Sequence, residues 1–331
     1  MPLVGPRPTT IAALRSAQRA AVSDDRKPQL DRRAVALLLM CALLWGLNQV
    51  ATKVALVEIA PLTQAALRSA GAAALLVGWM RRQRLPVLPE RGTWRAGVLI
   101  GLLFALEFGC IFVGLQYTSA SRMVVFLYLA PFVVAAGMPL IARSERLDRW
   151  QLLGLGGAFA GVVLAFAEGF VSPAAGPRQW LGDALGIAAA LFWGGTTLTI
   201  RASALNRVRA ETTLLYQLVV SMLGLGLAAV VAGEPWPARL SPLPLGSLAF
   251  QIVVISFASY LVWFWLVRHY PATKISVFVL LTPLAGLIAG VLLLGEPLTL
   301  RLVIALAAVC VGIALVNRGP RRAPPAAQRI A

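Results

Sequence analysis

Four ionisable side chains stand inside long apolar stretches of this chain: Lys53, Arg68, Glu107 and Arg122. A charge inside a bilayer is costly, so such a residue usually faces a cavity or an oppositely charged partner. Glu107 lies near the middle of its apolar stretch, where a carboxylate could bind an ammonium group or take up a proton. The alternative is a hydrogen-bonded carboxyl packed between helices.

Lys53 and Arg68 each allow two interpretations. Lys53 could line a polar wall, or its long side chain could extend to the membrane interface. The Arg68 side chain could extend to the interface in the same way, but we expect a structural ion pair, with Glu58 as the nearest candidate in sequence.

Aromatic and amide side chains accompany these charges at helical spacing. Aromatic faces bind apolar groups and attract cations, which suits a cavity that accepts amphipathic solutes. Plain packing or lipid contact is the alternative for each ring taken alone. The predicted substrate-binding residues are Trp45, Asn48, Gln49, Glu107, Tyr128, Trp193, Thr197, Tyr260 and Trp263.

One short pattern occurs twice, 152 residues apart. Ala-Ser-Arg at 120–122, followed by Phe126 and Pro131, returns as Ala-Thr-Lys at 272–274, followed by Phe278 and Pro283. A proline within a helix removes a hydrogen bond and bends the helix, so a repeated pair could form moving walls. Static kinks and interfacial anchoring of the two cations are the alternatives. The predicted gating residues are Arg122, Pro131, Lys274 and Pro283.

The elements that must position these residues are membrane helices. The chain is 59% hydrophobic and 13% charged, whereas soluble domains carry about 25% charged residues. Its apolar runs approach or exceed the roughly 18 residues that cross a bilayer core. We predict an all-α protein with ten spans at 34–57, 62–80, 96–117, 120–142, 150–167, 181–203, 211–232, 246–268, 273–294 and 300–317.

The positive charges orient these spans. With both termini in the cytoplasm, only Arg122, Arg178, Arg239 and Arg301, of 30 Lys and Arg residues, fall on the opposite side. Each copy has five spans, which is an odd number, so the second copy enters the membrane from the opposite side. The two copies are then related by a pseudo-two-fold axis. The predicted organisation is a basic tail (1–33), a first repeat (34–168), a linker (169–180), a second repeat (181–317) and a basic tail (318–331).

Several function classes lack support in the sequence. The net charge of +17 resides in loops and tails, where it contacts anionic lipid, so we expect no nucleic-acid partner. Cys41, Cys110 and Cys310 are scattered and offer neither a disulfide framework nor metal spacing. No Walker A loop, paired histidine ligands or Ser/His/Asp set occurs, so we expect no enzyme, cofactor or metal.

The order of motifs resembles a known family. Trp-Gly-Leu-Asn at 45–48, Leu-Gln-Tyr-Thr-Ser-Ala-Ser-Arg at 115–122 and Gly-Glu-Pro-Leu at 295–298 are similar to EamA domains of the drug/metabolite transporter superfamily, over about residues 34–317. The resemblance implies ten helices in two inverted repeats and export of amino acids, metabolites or drugs across a bacterial inner membrane. The chain is also similar to bacterial amino-acid exporters.

We therefore expect a secondary transporter of the inner membrane that exports small amphipathic solutes, chiefly amino acids, by alternating access. Protons are candidate coupling ions through Glu107. A multidrug or cationic-compound exporter is the main alternative, followed by a sugar- or nucleotide-phosphate exchanger and by an intramembrane enzyme or flippase scaffold.

Overall fold

The computed structural model describes residues 30–87, 92–141, 149–171, 175–237, 239–270, 278–279 and 281–316. All regular elements in these ranges are helical, which confirms the all-α prediction. The helices are α1 (Arg32–Ala55), α2 (Pro61–Arg82), α3 (Trp94–Gly114), α4 (Ala120–Leu127), α5 (Ala130–Ile141), α6 (Arg149–Val171), α7 (Gln179–Ala202), α8 (Ala210–Val231), α9 (Pro242–Ala249), α10 (Tyr260–His269), α11 (Leu281–Leu294) and α12 (Leu300–Val316).

Within the described ranges, seven helical stretches are long and apolar enough to cross a membrane. Helices α11 and α12 are shorter apolar helices, and α2 carries a more polar sequence. The count of ten spans, the inverted repeat and the cytoplasmic termini stay predictions. The seven stretches are 32–55, 94–114, 120–141, 149–168, 179–202, 210–231 and 242–263.

Two of these stretches contain irregular backbone. Between α4 and α5 the helix is interrupted at Tyr128 and Leu129, just before Pro131. Proline has no backbone N–H to give to the carbonyl one turn earlier, which accounts for the break at this place. The other irregular segment joins α9 to α10, where residues Phe250–Ser259 form a π-helix. Segments of π-helix are rare in proteins, and many of those that occur lie at functional sites.

Distant carboxylates cap two helices. Glu234 accepts hydrogen bonds from the backbone N–H of Leu62 (3.1 Å) and Thr63 (2.7 Å) at the start of α2. Glu58 accepts from the N–H (2.7 Å) and hydroxyl (2.6 Å) of Ser241 before α9, and these bonds hold the pKa of the Glu58 carboxyl below its usual value. Each carboxylate satisfies donors that a helix start leaves unpaired.

The helices pack in a pattern of matched pairs. Helix α2 packs on α8, and α6 packs on α12. Helix α3 packs on both α7 and α8. Helix α1 packs on α11, and α5 packs in the same way on α7. One close approach is between α1 and α11, where a Cβ on Gly46 would lie 2.6 Å from the backbone nitrogen of Gly286. A glycine is required there because any side chain would separate the two backbones.

Several polar contacts gather at one end of the bundle. Glu58 joins the end of α1 to the start of α9, and Glu234 joins the end of α8 to the start of α2. Lys53 and Glu296, near the ends of α1 and α11, contact the segment between α3 and α4. We refer to this end of the bundle as the Glu296 end.

Candidate functional site

Arg68 is a buried charge without a hydrogen-bond acceptor among the described residues. It lies on α2, its side chain is 1% exposed, and neither its Nε nor its Nη2 has a hydrogen-bond partner. The guanidinium carbon stands 3.6 Å from the centre of the Phe108 ring and 5.6 Å from that of Phe112. Such a cation–π contact is worth about 2 kcal/mol when desolvated, less than the cost of an unpaired buried charge.

Glu107 precedes Phe108 on α3 and is 6% exposed. Its carboxylate forms no hydrogen bond or ion pair within the described part of the chain, but it interacts electrostatically with Arg68. The structure therefore holds two opposite charges near each other without joining them. The predicted pair between Arg68 and Glu58 is wrong, because Glu58 lies at the Glu296 end and binds Ser241 instead.

A first aromatic group joins α1 to α10. The Trp45 ring lies 5.2 Å from Trp263 and 6.3 Å from Tyr260, measured between ring centres. Trp45 Nε1 also donates a hydrogen bond of 2.8 Å to Ser259 Oγ, at the last position of the π-helical segment. Three of the predicted substrate-binding residues are thus in contact.

A second aromatic group joins the break before α5 to α7. Tyr128 and Trp193 meet edge to face, with ring centres 5.9 Å apart. Tyr260 lies within electrostatic range of Tyr128, Arg68 and Glu107. It therefore stands near both aromatic groups and near the two buried charges. The other predicted residue on α7, Thr197, uses its hydroxyl to bond the Trp193 carbonyl of its own helix.

A buried amide cluster lies between α1, α2 and the π-helical segment. Gln64 Nε2 donates to the Thr52 carbonyl (3.2 Å) and to Gln251 Oε1 (3.3 Å). The side-chain oxygens of Asn48 and Gln49 are buried and have no partner among the described residues. Buried polar groups are normally hydrogen-bonded, so these two oxygens are acceptors with unused capacity inside the bundle.

At the Glu296 end, the carboxylate of Glu296 bridges the end of α11 and the start of α4. Glu296 accepts from the N–H groups of Ala120 (2.7 Å) and Ser121 (2.9 Å) and from the Ser121 hydroxyl (2.6 Å). Lys53 Nζ donates to the Thr118 carbonyl (2.9 Å) and lies 3.5 Å from Glu296 Oε1. We call Lys53, Ser121 and Glu296 the Glu296 lock.

Gly290 permits this contact. It stands one helical turn before the end of α11, and a Cβ there would collide with Ser121 Oγ and with Glu296 Oε2. The lock therefore depends on the absence of a side chain at position 290.

Arg122 is buried in a second ionic network, so the predicted interfacial anchoring is wrong. Its side chain is 6% exposed and reaches Asp183 through Nε (3.1 Å) and Nη2 (2.6 Å). Its Nη1 binds Glu168 at 2.8 Å, and its Nη2 also donates to the Ala165 carbonyl. Two buried carboxylates outcompete water and lipid headgroups for this guanidinium.

Two adjoining cavities flank the lock. One of about 210 Å³ is lined by Arg122, Glu168 and Gln179, and one of about 470 Å³ by Glu58, Ser241 and Pro244. Lys53, Leu294 and Glu296 line both, so the lock stands between them.

Of the predicted gating residues, Arg122 and Pro131 flank the break before α5, and Pro283 lies in the first turn of α11. Lys274 lies outside the described residues. Sequence reasoning missed Asp183 and Glu168, although an acid near each end of an apolar run was a usable signal. It noted Glu296 only within the Gly-Glu-Pro-Leu motif at 295–298, which the family resemblance uses.

A helical bundle with apolar outer faces and buried charges inside defines a multi-pass membrane protein with a polar interior. The model of the EamA-like transporter family matches this chain twice, at residues 32–167 and 180–318, and the chain belongs to that family. It is thus a transporter and not an enzyme, and it resides in the bacterial inner membrane.

Similar proteins agree with this assignment. The chain is 28% identical to the uncharacterized transporter YvbV of Bacillus subtilis, over 87% of this chain and 93% of that protein. It is 22% identical to a probable amino-acid metabolite efflux pump of Salmonella typhimurium, over 82% and 90% of the two chains. A solved crystal structure, 19% identical, has a TM-score of 0.59 over 86% of this chain and 97% of its own, which shows likeness of fold.

Proposed function

We propose that this transporter exports small amphipathic solutes, chiefly amino acids, by secondary transport. The observation that carries the proposal is the chemistry around Tyr260. An unpaired carboxylate, Glu107, and the aromatic rings of Trp45 and Trp263 lie in one connected group inside the bundle. An amino acid offers an ammonium for the carboxylate and a side chain for the rings.

Alternating access would use the Glu296 lock. The charge distribution predicts that the Glu296 end faces away from the cytoplasm. In this conformation the lock and the Arg122 network join helices of both predicted repeats there, because Glu296 binds Ser121 and Arg122 binds Asp183. Export requires these contacts to break, with Pro131 allowing α5 to move relative to α4.

Proton coupling would run through Glu107. A carboxyl group that lacks a hydrogen-bond partner in the described structure and lies deep in the membrane can be neutral in one state and charged in the other. Proton binding and ammonium binding at one carboxylate exclude each other, which is a simple basis for exchange.

A cationic-compound exporter is the second candidate. The same carboxylate and the same aromatic rings would accept a hydrophobic cation. A sugar- or nucleotide-phosphate exchanger has less support, because Arg122 and Lys53 already bind acidic groups of the protein. The remaining buried cation among the described residues, Arg68, is a single charge with the carboxylate of Glu107 near it, which disfavours a dianionic phosphate.

Counterflow into proteoliposomes separates these functions. Vesicles that contain the purified protein are loaded with unlabelled amino acid, cationic dye or sugar phosphate, and uptake of the labelled compound is followed with and without a pH gradient. We expect counterflow of amino acids, driven further by the gradient. Counterflow of dyes alone or of phosphates alone would show that the proposed substrate is wrong.

The variant Glu107→Gln tests whether Glu107 carries the coupling proton. It should abolish the pH dependence of uptake, and Glu234→Gln is the matched control, because Glu234 caps α2 away from the buried charges. A pH dependence unchanged in Glu107→Gln would contradict the role of Glu107.

A further inference from the structure

Two arginines in the described part of the chain are buried, and they differ in one respect. Arg122 uses the edge formed by Nε and Nη2 to hold the carboxylate of Asp183. Arg68 keeps the same edge without an acceptor among the described residues, although it is even less exposed. We propose that the Nε/Nη2 edge of Arg68 is the binding site for the carboxylate of the transported solute, which makes that solute a zwitterion. This inference rests on the transport function proposed above.

The surroundings of Arg68 hold the guanidinium in place and leave this edge without a hydrogen bond. The guanidinium carbon lies over the Phe108 ring, 3.6 Å from its centre, and a contact of this kind leaves Nε and Nη2 free to donate to an acceptor. The planar fork therefore stays oriented for a bidentate carboxylate, which is the geometry that arginine favours.

Glu107 does not provide the missing acceptor in this conformation. It interacts with Arg68 electrostatically, yet no ion pair joins them. The chain thus presents a cation and an anion close together, each with unused hydrogen-bonding capacity. The carboxylate and ammonium of an α-amino acid are separated by a single carbon, so one such molecule can satisfy both charges.

The occluded position of Arg68 fits a transport cycle. Its Nε and Nη2 are inaccessible to solvent here, so the solute must enter in a conformation in which the helices around Arg68 have separated. An empty transporter that closes over an unsatisfied arginine bears an energetic cost, and a bound carboxylate removes that cost. Binding would thereby favour the closed state that a transport cycle passes through.

The test compares an amino acid with its methyl ester, which keeps the ammonium and the side chain but has no carboxylate. In the counterflow assay with the wild-type protein, the ester should inhibit only at a concentration about tenfold higher, or more, than the acid does. This is the difference expected for the loss of charge-assisted hydrogen bonds. In Arg68→Gln that discrimination should fall to about twofold or less, whereas Arg68→Lys, which keeps the charge without the fork, should be intermediate.

Arg301→Gln is the matched control, because it removes an exposed arginine at the start of α12 and should discriminate as the wild type does. The comparison of acid with ester in the wild type needs no variant, so it tests the inference even if Arg68→Gln does not fold. Equal competition by acid and ester in the wild type, or full discrimination by a folded Arg68→Gln, would overturn the inference while leaving amino-acid transport standing. Absence of amino-acid counterflow in the wild type would instead refute the proposed function.

Discussion

The Ser221 hydroxyl donates a hydrogen bond of 3.0 Å to the Ser69 hydroxyl, and the two serines are 152 residues apart. The same separation relates Pro131 to Pro283 in the duplicated pattern. A pseudo-two-fold axis brings equivalent residues together where it passes between the two halves, so this contact supports the proposed inverted repeat. The matched packing of α5 on α7 and of α11 on α1 supports the same symmetry.

A cross-link between these serines should form and should be tolerated. In a background lacking Cys41, Cys110 and Cys310, the pair Ser69→Cys and Ser221→Cys should oxidise to a disulfide, because their hydroxyl oxygens are already in contact. Residues on the axis keep the same neighbours in both states, so the cross-linked protein should retain most of its counterflow. Cross-linking is read on a gel after cleavage of an intervening loop, with each single variant as control. Loss of counterflow that returns on reduction would contradict this view of the axis.

Breaking the Glu296 lock should expose the cavities beside it. Glu296→Gln loses charge-assisted hydrogen bonds to the start of α4, which should shift the population toward the open state by about tenfold. A cysteine at Leu294, which lines both cavities, reports this as faster labelling by a hydrophilic maleimide.

Glu234→Gln is the matched control for that experiment, since it removes a carboxylate that caps another helix at the same end. Gly290→Ala should act as Glu296→Gln does, because its methyl group collides with both partners of the lock. Equal labelling rates in Glu296→Gln and Glu234→Gln would show that the lock does not hold this end closed.

The Arg122 network should also contribute to the stability of this closed conformation. Arg122→Gln leaves Asp183 and Glu168 buried without their cation, which costs about 3–5 kcal/mol and should lower the melting temperature in detergent by about 5–10 °C. Arg122→Gln combined with Asp183→Asn should lose less than the two single variants together, because fewer unpaired charges remain. Arg301→Gln, at an exposed site, should melt as the wild type does. Strict additivity of the two single variants would argue against a coupled network.

Pro131 should affect the rate of transport more than the binding of substrate. Pro131→Ala supplies the missing N–H and favours a continuous helix through Tyr128 and Leu129, which should slow counterflow severalfold at unchanged half-saturation. Pro139→Ala, in the interior of the same α5 helix, is the control. Equal rates in the two variants would show that the break has no role in movement.

The sequence predicted much of the architecture and part of the site. Apolar runs, prolines between them and repeated motifs are local signals, so the helices and the break near Pro131 could be read directly. Helical spacing placed Trp45 and Trp263 among the predicted substrate-binding residues, and the structure brings their rings together.

Pairing between distant charges could not be read in the same way. Arg68 was assigned to Glu58 because of proximity in sequence, but Glu58 lies in the turn after α1 whereas Arg68 lies two turns into α2, and a ring of α3 covers Arg68 instead. Arg122 resembled an interfacial anchor because it stands at a helix start. Its partner Asp183 lies 61 residues away on α7, and only the packed bundle brings them together.

Site-directed labelling of the two halves tests the central claim most directly. Gln116 is exposed in the turn before α4, and Arg268, 152 residues later, precedes the predicted ninth span. Single cysteines at these positions, in a cysteine-free background, are treated with a membrane-impermeant maleimide in right-side-out and inverted vesicles. The inverted repeat predicts that Gln116→Cys reacts only from the extracytoplasmic side and Arg268→Cys only from the cytoplasmic side. Reaction of both cysteines from the same side would contradict the inverted repeat and the alternating-access mechanism that depends on it.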